Sequence, residues 1–452
     1  MKNNLLKILA LIVVVQFFPA CESNLEIEPF TALDAAVGFK TKQDVEAALL
    51  GSYNALQSAN YYGLRSWALG DLYSGTLIHT GTFPSWAQFA NRNLLANNAE
   101  ITNMWNTIYV GVNRANNVIA SAPGVNDPSF NVNNALAEAR MLRSLHYFTL
   151  LTLYGGSPNG FNQGGVGVPI FTTPTLTAGD AAAKPRATEA EVWQIIMDDV
   201  NFAVQNASVN NGIGRVNKNV ANALKARFHL VRGEWAQAEA TASEVIAQTR
   251  YSLLPGPDFA NIFLTKNTSE TIWELQFDAN NTNSIAFFYY PVAQGGRNEI
   301  TSSTALRDLH EPGDLRLRVN VTTGTPANKT LKYTRVAGED NVQIVRLAEM
   351  YLIRAEAAAR LGKGEAALAD LNVIRKRAGL PELTTTDSNE LVDAILRERV
   401  IEFAHEGLRW LDIRRTGRLT SVGITQEFRA LWPIPEREVD TSAGTIAQNN
   451  GY

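Results

Sequence analysis

Residues 347–378 read LAEMYLIRAEAAARLGKGEAALADLNVIRKRA. Two runs of good helix formers, 347–361 and 365–378, are interrupted only by Gly362-Lys363-Gly364. A glycine-bracketed turn ends one helix and lets the next begin at once, so the stretch predicts a helical hairpin. Ala366, Ala367 and Ala369 are expected at the crossing, where small side chains let two backbones approach. Residues 220–249 repeat the design. There 220–232 runs into Gly233-Glu234-Trp235 and then 236–249, with Ala236, Ala238, Ala240 and Ala242 as the small face.

Helix pairs of this kind resemble tetratricopeptide units, although long insertions separate the two. Working outward, 41–58 predicts an amphipathic helix on Val45, Leu49 and Tyr53, and 101–120 another. Residues 133–153 predict a strong helix with Leu142, Leu145, Phe148 and Leu151 near one face. Thr188 and Glu191 have the spacing of a capping box at a helix start. Residues 60–99 and 155–185 read as irregular, rich in Gly, Pro, Thr and aromatics. Between the hairpins, 271–277 and 331–336 read as short strands. The connection 278–301 is long, and long connections in compact proteins are usually functional or disordered. Its Phe287, Phe288, Tyr289 and Tyr290 argue against disorder. The fold class is therefore mainly α: a tetratricopeptide-like helical-hairpin scaffold with long loop insertions and a few short strands. Trp105, Trp193, Trp235, Trp273, Trp410 and Trp432 fall in periodic segments and are expected in the core.

The first residues carry a different signal. Lys2 and Lys7 precede an apolar run at 8–18, broken only by Gln16, and Pro19-Ala20 lead to Cys21, the only cysteine. The run is shorter than the roughly 20 residues a membrane-spanning helix needs. It resembles a bacterial lipoprotein signal, which makes 1–20 a signal peptide and Cys21 the lipid-attachment residue. Glu22, Ser23, Asn24, Glu26 and Glu28 then read as a solvated tether. The body divides into 21–230, carrying the ligand loops, and 231–452, packed together as one globular unit. A net charge of −4 argues against nucleic acid, which needs a basic face. With one cysteine there is no internal disulfide.

Motifs for chemistry are sparse. The histidines, His79, His146, His229, His310 and His405, show no metal-ligand spacing, and no cofactor is expected. Asp278, Asn280, Asn281 and Asn283 offer oxygens to a structural calcium but lack the glycine and closing glutamate of an EF-hand loop. The glycine-rich runs at 164–167 and 212–214 lack the setting of a nucleotide loop. Glu402 and Glu406, four apart amid Arg397, Arg399 and Arg409, are better read as ion pairs than as the flanking carboxylates of a glycosidase. Glu138, Arg140 and Arg143 read the same way.

Several blocks together resemble the SusD/RagB family of outer-membrane lipoproteins. They are residues 139–148 (ARMLRSLHYF) with Leu153-Tyr154-Gly155-Gly156, and Asp314-Leu315-Arg316. Further on come 352–357 with 371–379, Glu398-Arg399 with Glu402 and 406–415 (EGLRWLDIRR). Trp432-Pro433-Ile434-Pro435, Glu438 and 448–452 (QNNGY) close the chain. The resemblance implies a non-catalytic, lipid-anchored nutrient-binding protein facing the cell exterior. It would lie as a lid over a SusC-like TonB-dependent barrel and serve polysaccharide utilisation.

Two loops combine an apolar platform with polar groups able to reach sugar hydroxyls. The first holds Asp71, Tyr73, His79, Phe83 and Trp86; the second holds Asn281, Tyr289, Tyr290 and Arg297. In the family, ligand contacts come from comparable places. These residues are the ligand-binding candidates, with an oligosaccharide as the expected ligand. The alternatives are a peptide ligand within the same family or, in a different class, a surface-anchored glycan hydrolase. A helical adaptor that binds only proteins would not need aromatic-rich loops.

Overall fold

The computed structural model describes residues 39–452, so the signal, the tether and Cys21 lie outside the described residues. Thr41 caps α1 (Lys42–Gln57) through a reciprocal capping box with Asp44, and Val45, Leu49, Tyr53 and Leu56 bury one stripe. Then follow α2 (Arg65–Ser74), β1 (Leu77–His79), a short helix Pro84–Ala90, α3 (Ala99–Ser121) and α4 (Val132–Tyr154). The predicted Thr188–Glu191 box opens α5 (Glu189–Asn206). The first hairpin is α6 (Lys218–Arg232) and α7 (Trp235–Ile246), followed by β2 (Thr271–Leu275), a short helix Ile285–Tyr289 and β3 (Ile300–Ser302). The chain continues through β4 (Val342–Arg346), then α8 (Leu347–Arg360) and α9 (Gly364–Arg377), which form the second hairpin. Finally come α10 (Ser388–Glu402) and α11 (Leu408–Arg415).

The long helices pack in one series: α1 on α3, α3 on α4, α4 on α5, α5 on α6, α6 on α7. Next, α8 packs on α7, so hairpins far apart in sequence lie side by side. Helix α4 is the spine, with nearly every side chain from Ala135 to Tyr154 buried. Of the alanines expected at the crossings, Ala238, Ala242 and Ala367 are buried, while Ala236, Ala240, Ala366 and Ala369 are exposed. Residues two apart on a helix point away from one another, so only the i, i+4 pair of α7 shares the contact face. In the second hairpin α8 supplies the rest through Ala355, Ala358 and Ala359.

Two other expectations are corrected. Residues 60–99 are largely ordered as α2, β1 and the Pro84–Ala90 helix. Residues 331–336 form no strand; β2 pairs instead with β4, antiparallel and with register shifts around Trp273. The second small sheet joins β1 to β3, with Leu77 opposite Ser302 and His79 opposite Ile300. Trp105, Trp193, Trp273, Trp410 and Trp432 are buried and Trp235 is half-buried against the same core. That core draws on residues from Val45 to Ile446. The C-terminal segment is tied in by Asn449, whose Nδ2 donates to the carbonyls of Trp432 (2.7 Å) and Tyr154 (3.0 Å). A division at 230/231 falls inside α6.

Candidate ligand-binding site

The β1–β3 pairing carries the two aromatic loops onto one face. Thr80 N and Gly81 N both donate to the Glu299 carbonyl, at 2.9 and 3.2 Å, extending the ladder by a turn. A Cβ at position 81 would lie 2.1 Å from the Glu299 carboxylate, so any larger residue there would have to push that side chain aside. The Glu299 side chain then organises both loops. Its Oε1 accepts from the Phe83 N–H at 2.8 Å and meets His79 Nε2 at 2.8 Å. Its Oε2 accepts from Arg297 Nε at 3.1 Å. Burial pushes the Glu299 carboxyl up, but the Phe83 N–H, His79 and Arg297 together hold it below the ordinary carboxylate range.

Arg297, pinned at its Nε, lies over the Phe83 ring with its guanidinium carbon 4.0 Å from the centroid. Phe83 packs against Phe288 at 6.2 Å, and Phe287 meets Phe288 edge-on at 5.7 Å. Phe83 and Phe288 are half-buried; Phe287 and Arg297 are exposed. The face therefore combines an aromatic surface, a fixed cation and an imidazole–carboxylate pair. That mixture suits a ring with an apolar face and hydroxyls at its rim.

Of the predicted candidates, His79, Phe83 and Arg297 come together here. Asp71, Tyr73, Trp86, Tyr289 and Tyr290 do not face solvent; they are buried. Each has a packing partner that accounts for it. Tyr73 sets its edge to Trp410 at 4.7 Å and donates its hydroxyl to the Arg429 carbonyl. Trp86 stacks beneath Phe288 at 5.1 Å. Tyr289 stacks on Trp67 at 5.7 Å and bonds His405 Nδ1 at 2.6 Å, while Tyr290 donates to the Thr330 carbonyl. Asp71 sits among these rings, and burial pushes its carboxyl up to about 7. Asn281 is half-buried in a separate turn, its N–H bonded to Asp278 Oδ1. Sequence reasoning missed Glu299. The available clue was an acidic residue two places after Arg297; Asn298 between them is left-handed, with φ of 57°, so the alternation of an extended strand does not place the two side chains.

The carboxylates near residue 400 are structural. Helix α10 ends at Glu402, so Glu402 and Glu406 do not share a helical face as expected. They converge because Arg346 reaches both, at 2.5 Å to Glu402 and 2.9 Å to Glu406. Arg316 and Arg377 also bind Glu402, and Lys332 binds Glu406. Burial raises the Glu402 carboxyl, but Arg377, Arg346 and Arg316 hold it well below the ordinary range. Arg143 grips Asp199 with two bonds, at 2.7 and 2.9 Å, and Arg215 does the same to Glu138.

Residues 34–230 match the family profile described as "Starch-binding associating with outer membrane", and 315–427 match that of the SusD family. The chain belongs to the SusD/RagB family. It is 26% identical to SusD-like protein P38 of Formosa agariphila, over 92% of each chain. A crystal structure of a SusD superfamily protein from Bacteroides thetaiotaomicron superposes with a TM-score of 0.78 at 26% identity, covering 90% of this chain and 99% of that one. A laminarin-binding SusD-like protein shares the fold, with a TM-score of 0.76 at 23% identity over 92% of this chain and all of that one. The family comprises starch- and carbohydrate-binding proteins associated with the outer membrane. Among the described residues no helix of this SusD-like chain is long and apolar enough to cross a membrane.

Proposed function

We propose that this SusD-like protein captures an oligosaccharide on the β1–β3 face and passes it, without breaking a bond, to a SusC-like TonB-dependent barrel. Cys21 would carry the lipid that holds it to the outer membrane, facing the cell exterior. The observation that supports this reading is the Glu299-centred clamp, which fixes Arg297 over Phe83 where a sugar ring can stack. Starch and laminarin, named for the family profile and for one structural relative, are both glucans and are the first ligands to test. The hydrolase alternative lacks support in the carboxylates it would use, since Glu402 is buried, the Glu406 side chain is only 5% exposed, and both are held by cations.

Calorimetric titration with maltohexaose and laminarihexaose tests the site. Phe83→Ala and Arg297→Ala should each weaken binding about tenfold, which is about 1.4 kcal/mol. Unchanged affinity in both variants would remove the face from consideration. Release of shorter sugars by the purified chain would overturn the non-catalytic reading. Recovery of a TonB-dependent barrel by co-purification from outer membranes is the expected partner result.

A further inference from the structure

A cavity of about 450 Å³ shares no residue with the β1–β3 face. Its walls come from the loop before α6, from Arg250 and Tyr251, and from the turn before β2. Its volume falls in the range of roughly 300–1,000 Å³ typical of small-molecule sites. Arg215 is held by Glu138 at 2.6 and 2.9 Å, whereas Arg250 is exposed and its guanidinium lies over the Tyr251 ring at 5.1 Å without an ion pair. Glu274 accepts from the Asn267 N–H at 2.7 Å and from Asn341 Nδ2 at 2.6 Å.

What remains on offer is the Arg250 guanidinium and amide hydrogen bonding beside an aromatic wall. Asn211 is bonded to Asn134 and Val216 and Asn267 to Gln276, which leaves the Asn210 amide and the Nδ2 of Asn217 at the opening to meet a sugar hydroxyl. Tyr251, on this wall, is more than nine-tenths buried, and its hydroxyl meets the geometry of no hydrogen bond. A buried polar group left unpaired is costly, and a bound hydroxyl or water is its usual remedy. An apolar segment would need a broader greasy wall.

We infer that this cavity is a second binding site, for a short neutral saccharide. It rests on the proposed function only for the ligand class. Two separate sites on one body raise the effective concentration of a long glycan, so that release from one does not mean loss. The test is backbone hydrogen exchange on the full chain in detergent, with millimolar maltotriose or laminaritriose. Protection of residues 208–217 and 267–271 is expected with at least one sugar, unchanged in Arg297→Ala. It should fall at least tenfold in affinity in the double variant Asn210→Ala/Arg250→Ala, whose thermal midpoint should match that of the parent. Protection confined to residues 79–86 and 287–299 overturns the second site and leaves the first reading standing. Protection at the cavity that the double variant does not weaken overturns the assignment to these residues. Protection at neither place overturns both readings.

Discussion

Gly111 sits where α3 crosses α4, with the imidazole of His146 in the space a side chain would take. A Cβ there would lie 2.4 Å from Cε1 and Nε2 of His146. His146 is fully buried and neither ring nitrogen has a partner. Burial, aided by the positive charge of Arg114, pushes its pKa down to about 3, so the ring is a neutral filler of the helix crossing. Gly111→Ala overpacks this contact and should cost about 1–3 kcal/mol by urea denaturation. Adding His146→Ala removes the clash, so the double variant should be more stable than the sum of the single losses. Strict additivity would show that the two residues do not compete for the same space.

At the level of elements, the polar core joins segments the hydrophobic core leaves apart. Arg346 ends β4, Arg316 lies in the 303–331 connection, Arg377 closes α9, and all three meet on Glu402 at the end of α10. Glu402→Gln leaves guanidiniums facing one another in a buried place and should cost about 3–5 kcal/mol. Lys376→Ala, which removes an exposed pair with Glu382, should change stability by less than about 1 kcal/mol in the same urea titration. Equal losses would mean that burial of the network is not what gives it weight. Element legibility follows the same division between periodic and tertiary signals. Helices α1, α4 and α5 were readable because apolar residues and capping boxes repeat at helical spacing. Helix α2 was not, because it is only ten residues long, contains Gly70 and ends at Gly75, so its composition reads as a loop. Residues 331–336 alternate like a strand in sequence, but Lys332, which that pattern would place outside, is buried to reach Glu406, a contact that no local pattern announces. In the candidate face, residue types pointed to the two loops that the pairing of β1 with β3 brings together. They could not separate Phe83 from Trp86, since which ring is covered depends on Phe288 and on the distant pairing of β1 with β3.

Across the whole molecule, His405 ties the segments around Tyr289 and β3 to the C-terminal half. Its Nδ1 meets the Tyr289 hydroxyl at 2.6 Å, and its Nε2 meets the Asn320 carbonyl at 2.9 Å and the Ser302 hydroxyl at 3.3 Å. A carbonyl can only accept, so the neutral tautomer carries its proton on Nε2 and Nδ1 accepts from Tyr289. Burial, with Lys332 adding its charge, pushes the His405 pKa down to about 3. The unfolded chain therefore binds a proton at this position below about pH 6.5 while the folded chain does not. The stability that His405 contributes is complete above that pH and declines as acid is added, by about 1.4 kcal/mol per pH unit, until the folded ring protonates near 3. His405 also has a left-handed backbone, with φ of 64°, which asparagine tolerates better than most residues. His405→Asn should therefore be destabilised at pH 7.5, where the lost contacts count in full. The deficit should shrink by about 2 kcal/mol between pH 6.5 and pH 5, since only the parent then loses stability through this residue. Urea denaturation of both proteins at the three pH values measures the difference. Parallel curves would mean that the imidazole between Tyr289 and Asn320 is already protonated in the folded chain, and that the hydrogen-bond pattern deduced from its neighbours is wrong.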